Sequence, residues 1–270
     1  MNIKIIIITI LIIIIILLTR IYFEVNRVKI ENMILKSKKL LKGQRIRIIH
    51  ISDLHNKKLS NNSLFQEMED FKPDIIALTG DIIDKRTSDF HNVYEWLEGL
   101  VKISNNTYFV SGNHEWKNTK AAEFIDGIVK RRIKIINNSK ECINKDGFII
   151  NICGIDDPYT NHENTYKAFS SIDTSNFTLL LSHSPNILFK SKALPCDLIL
   201  CGHTHGGQIR LPFLGGLIAS GQGFFPKYDK GLYKLENNRL LYINSGLGTS
   251  MLPIRFLNRS QISFITLISE

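Results

Sequence analysis

Five short apolar runs in this chain end the same way, on His, Asp or Asn side chains set among small residues, and that shared ending restricts the fold more than any other feature. Residues 45–52 run into Asp53-Leu54-His55, and 74–79 into Gly80-Asp81-Ile82-Ile83-Asp84. Residues 107–110 run into Ser111-Gly112-Asn113-His114-Glu115, 177–182 into His183-Ser184-Pro185, and 197–201 into Gly202-His203-Thr204-His205-Gly206-Gly207-Gln208. Runs of this length, rich in Ile, Leu and Val, have the size and character of buried strands. Further strands are expected at 148–153, 240–243 and 262–268. Between them, 62–71, 89–101 and 119–130 space apolar residues by three and four, as a helix with one packed face does. Strands alternating with helices make an α/β protein, and in open sheets of that kind ligands bind beyond the carboxyl ends of the strands.

Taken singly, the endings mean little. An Asp-x-His or Gly-Asp after a strand is most often a turn or a helix cap. Two imidazoles two residues apart, with glycine on both sides, are better suited to a metal, and five such endings in series leave little room for coincidence. The donors are nitrogen and oxygen with no thiolate, a set that suits Mn, Fe, Zn or Co. Four cysteines at irregular spacing, Cys142, Cys153, Cys196 and Cys201, fit neither a disulfide framework nor a Cys-x-x-Cys site and read as small core residues. His50 falls inside a strand and reads as a packing residue, while His91 and His162 fall on surface elements. Asp84 reads as a support for the site or a helix cap.

The amino terminus is different in kind. Residues 5–19 carry no charge and are nearly all Ile or Leu, and Ile21, Tyr22 and Phe23 extend the run beyond Arg20. Nineteen residues as a helix reach roughly 28 Å, close to the hydrocarbon thickness of a bilayer. No small-x-small cleavage site follows, so an uncleaved single-pass anchor over 1–25 is expected, then a basic juxtamembrane linker over 26–44 and one domain over 45–270. Eight basic and two acidic residues lie in the first 44, which is +6 of the total +9. The basicity is therefore local, with no nucleic-acid surface implied. Arg27, Lys29, Lys36, Lys38, Lys39 and Lys42 all follow the span, so the positive-inside rule places the body in the cytoplasm. The same cluster is also suited to resting on anionic headgroups.

The five endings resemble the calcineurin-like metallophosphoesterase superfamily, whose blocks run D-x-H, G-D-x-x-D, G-N-H-[DE], H and G-H-x-H. All are present in order, with 28 residues from Asp53 to Asp81, 32 to Asn113, 70 to His183 and 20 to His203. Gly202 to Gln208 behind a membrane segment, and the stretch 244–259, resemble a branch of membrane-anchored bacterial phosphodiesterases similar to the alternative UDP-2,3-diacylglucosamine pyrophosphatase. Where those relatives tend to continue Pro-Glu-Ile, this chain has Ser260-Gln261-Ile262.

The resemblance implies a four-layer α-β-β-α sandwich and two divalent ions. Asp81 would bridge them, Asp53, His55 and His205 would complete one, and Asn113, His183 and His203 the other. It also implies His114 as the acid that protonates the leaving oxygen, and water activated between the ions attacking phosphorus in line. Arg255 is a candidate contact to substrate phosphate or a lipid headgroup. The expected activity is hydrolysis of a phosphodiester or pyrophosphate at the membrane, on a lipid-linked or cell-envelope substrate such as UDP-2,3-diacylglucosamine. The competing readings are a cytoplasmic-face nucleotide phosphodiesterase and a non-catalytic tethered scaffold that keeps the fold.

Overall fold

A computed structural model describes residues 2–59, 62–191, 194–250 and 252–270. The chain opens with helix α1 (Ile3–Asn26), whose apolar side chains stand almost entirely in the open except near its carboxyl end, where Arg259 lies over the Phe23 ring. Strands β1 (Lys29–Ser37), β2 (Arg45–Ile51), β3 (Ile75–Thr79), β4 (Thr107–Val110) and β5 (Lys134–Ile135) follow, with helices α2 (Asn62–Phe71), α3 (His91–Ile103), α4 (Asn113–Lys117) and α5 (Ala121–Lys130) among them. Next come β6 (Ser139–Lys145), β7 (Phe148–Ile155), α6 (Thr165–Phe169), β8 (Phe177–Ser182), α7 (Ile187–Lys190) and β9 (Leu198–Cys201). Two small ribbons pair β10 (Arg210–Leu211) with β11 (Gly215–Gly216) and β12 (Ile218–Ala219) with β13 (Gly223–Phe224). The chain finishes with β14 (Gly231–Lys234), β15 (Leu240–Ile243) and β16 (Gln261–Ser269).

Two six-stranded sheets result, ordered β1-β16-β2-β3-β4-β5 and β14-β15-β9-β8-β7-β6. Ile46, Ile48, Ile75 and Tyr108 of the first sheet pack against Ile152, Leu179, Leu198 and Tyr242 of the second. The opposite face of the first sheet buries Ile49, Ile76 and Phe109 under Met68, Leu97 and Phe124 of α2, α3 and α5. The outer face of the second is covered by Ala168 and Ile187 of the short α6 and α7. This is the expected α-β-β-α sandwich. Strands β2, β3 and β4 are mutually parallel, as are β7, β8, β9 and β15.

Two expectations need correction. The expected linker is no linker: Lys29–Ser37 is an edge strand in register with β16 from Lys29↔Gln261 to Ser37↔Ser269. Its charges hid the strand, since an edge position lets Lys29 pair with Glu31 while Met33 and Leu35 face the core. Because β1 carries the chain roughly 26 Å from α1 at about 3.3 Å per residue, Lys36 to Lys42 lie beyond or at the far end of that strand. Lys39 donates there to the carbonyls of Thr174 and Asn176 and pairs with Asp197 at 2.9 Å. Finally, three cysteines are buried as expected, but Cys142 is exposed on β6.

Since β1 is parallel to β16 and β16 antiparallel to β2, β1 begins where β2 ends. The apolar helix therefore joins the body at the edge that carries the metal-type residues. Gln261, at that edge, is buried, donates to the hydroxyls of Tyr242 and Ser263 and accepts from Ser245, so a neutral amide is fully satisfied there.

Candidate metal centre

The loops after β2 and β3 are laced together by backbone. Asp53 N–H donates to Gly80 O and His55 N–H to Asp81 O, both at 3.0 Å. A continued extended strand would have put Asp53 and His55 on one face. Instead both take left-handed backbone, φ 49° and 50°, as do Asp81 (51°), His203 (70°) and His205 (50°). Each such conformation costs on the order of 1–3 kcal/mol for a residue with a side chain and persists only where its surroundings over-determine it.

Those surroundings are visible. Buried Glu115 accepts the N–H groups of Gly112, Asp81, Ile82 and Ile83 at 2.7–3.2 Å and so clamps the β3 loop to α4. A Cβ on Gly112 would lie 2.3 Å from Asp81 Oδ1, and one on Gly202 2.3 Å from Asp53 Oδ2. Only glycine lets these strand ends approach. The second sheet is tied in by His203 N–H, which donates to both Asp53 oxygens at 3.0 and 3.1 Å.

Hydrogen bonding also sets a tautomer. His183 Nδ1 donates to Thr79 O at 2.8 Å, so its Nε2 is the nitrogen that offers a lone pair whenever the ring is neutral. That Nε2 faces His203 Nδ1 at 3.0 Å, and Asn113 Oδ1 and Asp81 Oδ2 at 3.3 Å each. Nearby, His55 Nε2 lies 3.1 Å from His205 Nε2, which is 3.6 Å from Asp53 Oδ1. Asp81 Oδ2 is 3.8 Å from His55 Nε2, so one oxygen stands between the two groups. Asp53, His55 and His205 form one cluster with metal-ligand geometry, and Asp81, His183 and His203 another.

Burial and neighbouring imidazoles hold His203 and His205 well below the ordinary histidine range, and burial holds His55 at about 4. All three present neutral lone pairs, the form that binds metal. Burial, joined by the charge of Asp81, raises Asp53 to about 6. Burial opposes charge on His183 too, yet the Asp81 and Asp53 carboxylates hold it well above the usual value, a measure of how strongly the hollow attracts a cation. Buried His203 Nε2 and His205 Nδ1 have no protein partner. Converging acceptors, neutral imidazoles and orphaned ring nitrogens all fit divalent metal.

His114 differs from these in exposure: its side chain is 18% accessible, against 0–6% for His55, His183 and His205. Its N–H donates to Asp81 Oδ1, its Nε2 is 3.9 Å from Asp81 Oδ2, and its Nδ1 sits 3.1 Å from both Asp84 Oδ2 and the Lys85 N–H. Asp84, which the sequence left between support and cap, thus orients His114, and Glu115 acts on the backbone instead.

Arg255 requires correction. It is fully buried, and its guanidinium donates to the carbonyls of Ser245, Gly246, Gly248 and Asn258, so it has no reach to a substrate. It props the 244–248 loop, whose Gly248 N–H in turn donates to Asp53 O. Sequence reasoning missed the loop after β7. There Asp156 accepts from Trp116 Nε1, Trp116 stacks on His162 at 3.5 Å, and the Tyr159 ring lies 4.6 Å from that of His203. The available signal was a sixth strand end, running into Asp156-Asp157-Pro158 at the same sheet edge. His50 is buried as expected, with Nε2 2.8 Å from Thr79 Oγ1.

Comparison with known proteins agrees with this geometry. The family model for calcineurin-like phosphoesterases matches residues 46–207. The uncharacterized metallophosphoesterase YkuE of Bacillus subtilis is 29% identical over 260 residues, 92% of this chain and 88% of its own length. YkoQ of the same organism is 32% identical over 234 residues, 82% of this chain and 83% of its own. A transmembrane protein with a metallophosphoesterase domain from Danio rerio is 27% identical over 239 residues, 82% of this chain and 53% of its own. Among solved structures, a 5'-nucleotidase precursor from Thermus thermophilus superposes with a TM-score of 0.50 at 14% identity. It shares the fold over 76% of this chain and 49% of its own length. The chain belongs to the calcineurin-like phosphoesterase family and is a metal-dependent phosphoester hydrolase.

Proposed function

We propose that this protein is a membrane-anchored phosphoesterase that uses two divalent ions to hydrolyse a phosphodiester or pyrophosphate, on a substrate held at the membrane or in the cell envelope. The observation that carries the two-ion reading is the position of Asp81 Oδ2, 3.3 Å from His183 Nε2 and 3.8 Å from His55 Nε2. Asp53, His55 and His205 would hold one ion, Asn113, His183 and His203 the other, and Asp81 both. Two such ions, when bound, activate water near neutral pH and neutralise charge on the phosphoryl oxygens.

The remaining chemistry belongs to the chain. Asn113 contributes an oxygen without charge, which leaves the site electropositive towards an anionic phosphate. His114 Nε2 faces the same hollow and is placed to protonate the leaving oxygen, with Asp84 steadying its Nδ1. Both sheets hold these groups rigid, so the geometry precedes substrate. A lipid-linked pyrophosphate such as UDP-2,3-diacylglucosamine fits the class because α1 holds an unburied apolar stretch long enough to span a bilayer and enters the body at the active edge. Charge bias around the anchor supports a cytoplasmic catalytic domain.

The test is hydrolysis of bis-p-nitrophenyl phosphate and p-nitrophenyl phosphate by the full-length protein in detergent, metal-stripped and then titrated with Mn, Fe, Zn or Co. Metal-dependent turnover that favours the diester and saturates at two ions per chain supports the reading. One ion per chain at full activity overturns the two-ion site, and no bound ion turns the reading to the scaffold. The exposed Cys142 reports sidedness: a membrane-impermeant maleimide that labels it in intact cells would overturn the cytoplasmic placement.

A further inference from the structure

Between the metal-ligand loop and the anchor lies a surface with no counterpart in the chemistry above. The ribbons of β10 to β13 follow directly on His205-Gly206-Gly207 and hold Phe213, Leu214, Ile218, Phe224 and Phe225 out of the protein, with Leu252 exposed on the neighbouring loop. Phe213 is fully exposed. Both it (φ 66°) and Phe225 (φ 50°) hold left-handed backbone, an unfavourable state for a bulky residue that buries nothing. Ile218 and Phe224 are paired across the second ribbon, and exposed apolar side chains gathered in this way on a folded protein mark an interaction site.

What it faces follows from the connections to α1. Ser260 N–H donates to Glu24 O, and Asn258 N–H to the buried Glu24 carboxylate at the end of that helix. The Asn258 side chain donates to His205 O, and the same loop pairs with the first ribbon through Arg210 N–H to Phe256 O and Phe256 N–H to Gln208 O. An unbroken run of hydrogen bonds therefore joins the end of the anchor, the metal-ligand loop and the root of the ribbons. When α1 spans a bilayer, its carboxyl end with Tyr22 and Phe23 sits at the headgroup level, where aromatic residues concentrate. The root of the ribbons is tied to that end by the same run of bonds. No acidic residue occurs between Leu211 and Tyr228, and Lys227 is exposed, so the surface matches anionic headgroups around an apolar contact.

We infer that the ribbons 210–224 form a membrane-inserting surface, seated in the interfacial layer of an anionic bilayer, that holds the metal centre open towards lipid headgroups. The inference rests on the membrane-anchored reading and deepens it: the substrate class becomes amphiphiles whose phosphate lies at the headgroup plane, cleaved without leaving the membrane. The basic tract at Lys36 to Lys42 plays no part, being at the opposite end of β1.

Bromine on lipid acyl chains quenches tryptophan that touches them. The full-length protein carrying Phe213→Trp, Phe224→Trp or, within the anchor, Ile12→Trp is reconstituted into phosphatidylcholine and phosphatidylglycerol vesicles with brominated chains. The unsubstituted protein supplies the background from Trp96 and Trp116. The inference expects the added emission at 213 and 224 to be blue-shifted and quenched about twofold or more, as for a side chain buried at the acyl boundary. Quenching at 12 with water-like, unquenched emission at both 213 and 224 overturns the inserting surface while the anchor stands. No quenching at any of the three overturns the anchor and the inference together.

Discussion

Bulky residues take left-handed backbone at several places among the described residues, and two of those regions do so under opposite conditions. At the metal centre Asp53, His55, Asp81, His203 and His205 are locked by N–H donors, by Glu115 and by glycines with no room for a Cβ. On the ribbons Phe213 and Phe225 take similar angles with their side chains in the open. The first arrangement is complete within the protein, and the second is not. Buried strain is maintained by neighbours and serves preorganisation, whereas exposed strain on an apolar residue points to surroundings that the folded chain does not itself supply.

The contrast can be broken most decisively at the bridge. Asp81→Asn and His203→Ala are expected to abolish metal-dependent turnover with loss of bound metal, read by metal analysis beside kinetics; full activity in either would end the assignment. His114→Ala should retain both ions and lose on the order of 10²–10⁴-fold in rate, most with poor leaving groups, as for removal of a general acid. A metal-free His114→Ala would move His114 among the ligands. Glu115→Gln keeps the shape but weakens the clamp of N–H donors, and metal affinity should fall about 10–100-fold, the range for groups supporting metal ligands. Competitive chelation measures it, and unchanged affinity would show that the backbone holds without the charge.

Arg255→Met sharpens the comparison from the other side. It leaves four buried carbonyls without a charged donor and should lower stability by at least about 3 kcal/mol in denaturant unfolding, since hydrogen bonds to charged groups contribute roughly 1.5–3 kcal/mol each. Its specific effect on KM should be small, because the guanidinium does not meet substrate; a large KM rise in stable protein would restore the substrate-binding role. The smallest change is expected at Phe213→Gly in detergent. Relief of the left-handed backbone is offset by glycine's greater unfolded freedom, leaving stability within about 1 kcal/mol. A loss well beyond that would show that Phe213 packs against the protein after all.

How much was legible follows from where each element sits. Strands β2, β3, β4, β8 and β9 are central and largely buried on both faces, so they appear as plain apolar runs, and Thr107–Val110 and Phe177–Ser182 match their expected bounds. Edge strands β1, β6 and β14 alternate with charged or polar residues and were hidden, the first behind a reading of its lysines. The ligand types were legible because five strand ends in series carried them. Their aim was not: Asp53 and His55 point where two left-handed turns send them. Arg255 misled because a basic side chain in a loop looks like a phosphate contact until its carbonyl partners, brought from 245 to 258, are assembled around it.

Sequence by itself determined the donor set, its order, the α/β rhythm and an apolar helix long enough to span a bilayer. Each is a local property of residue type and spacing. Tertiary structure alone decided that the apolar helix enters at the edge of the ligand-type residues, that Asp84 and not Glu115 lies against the His114 ring, that Arg255 is a prop, and that the apolar ribbons follow on the His203-Thr204-His205 loop. Those depend on strand order and on contacts between residues far apart in the chain, as between Glu24 and Asn258, 234 positions away, which no local pattern encodes.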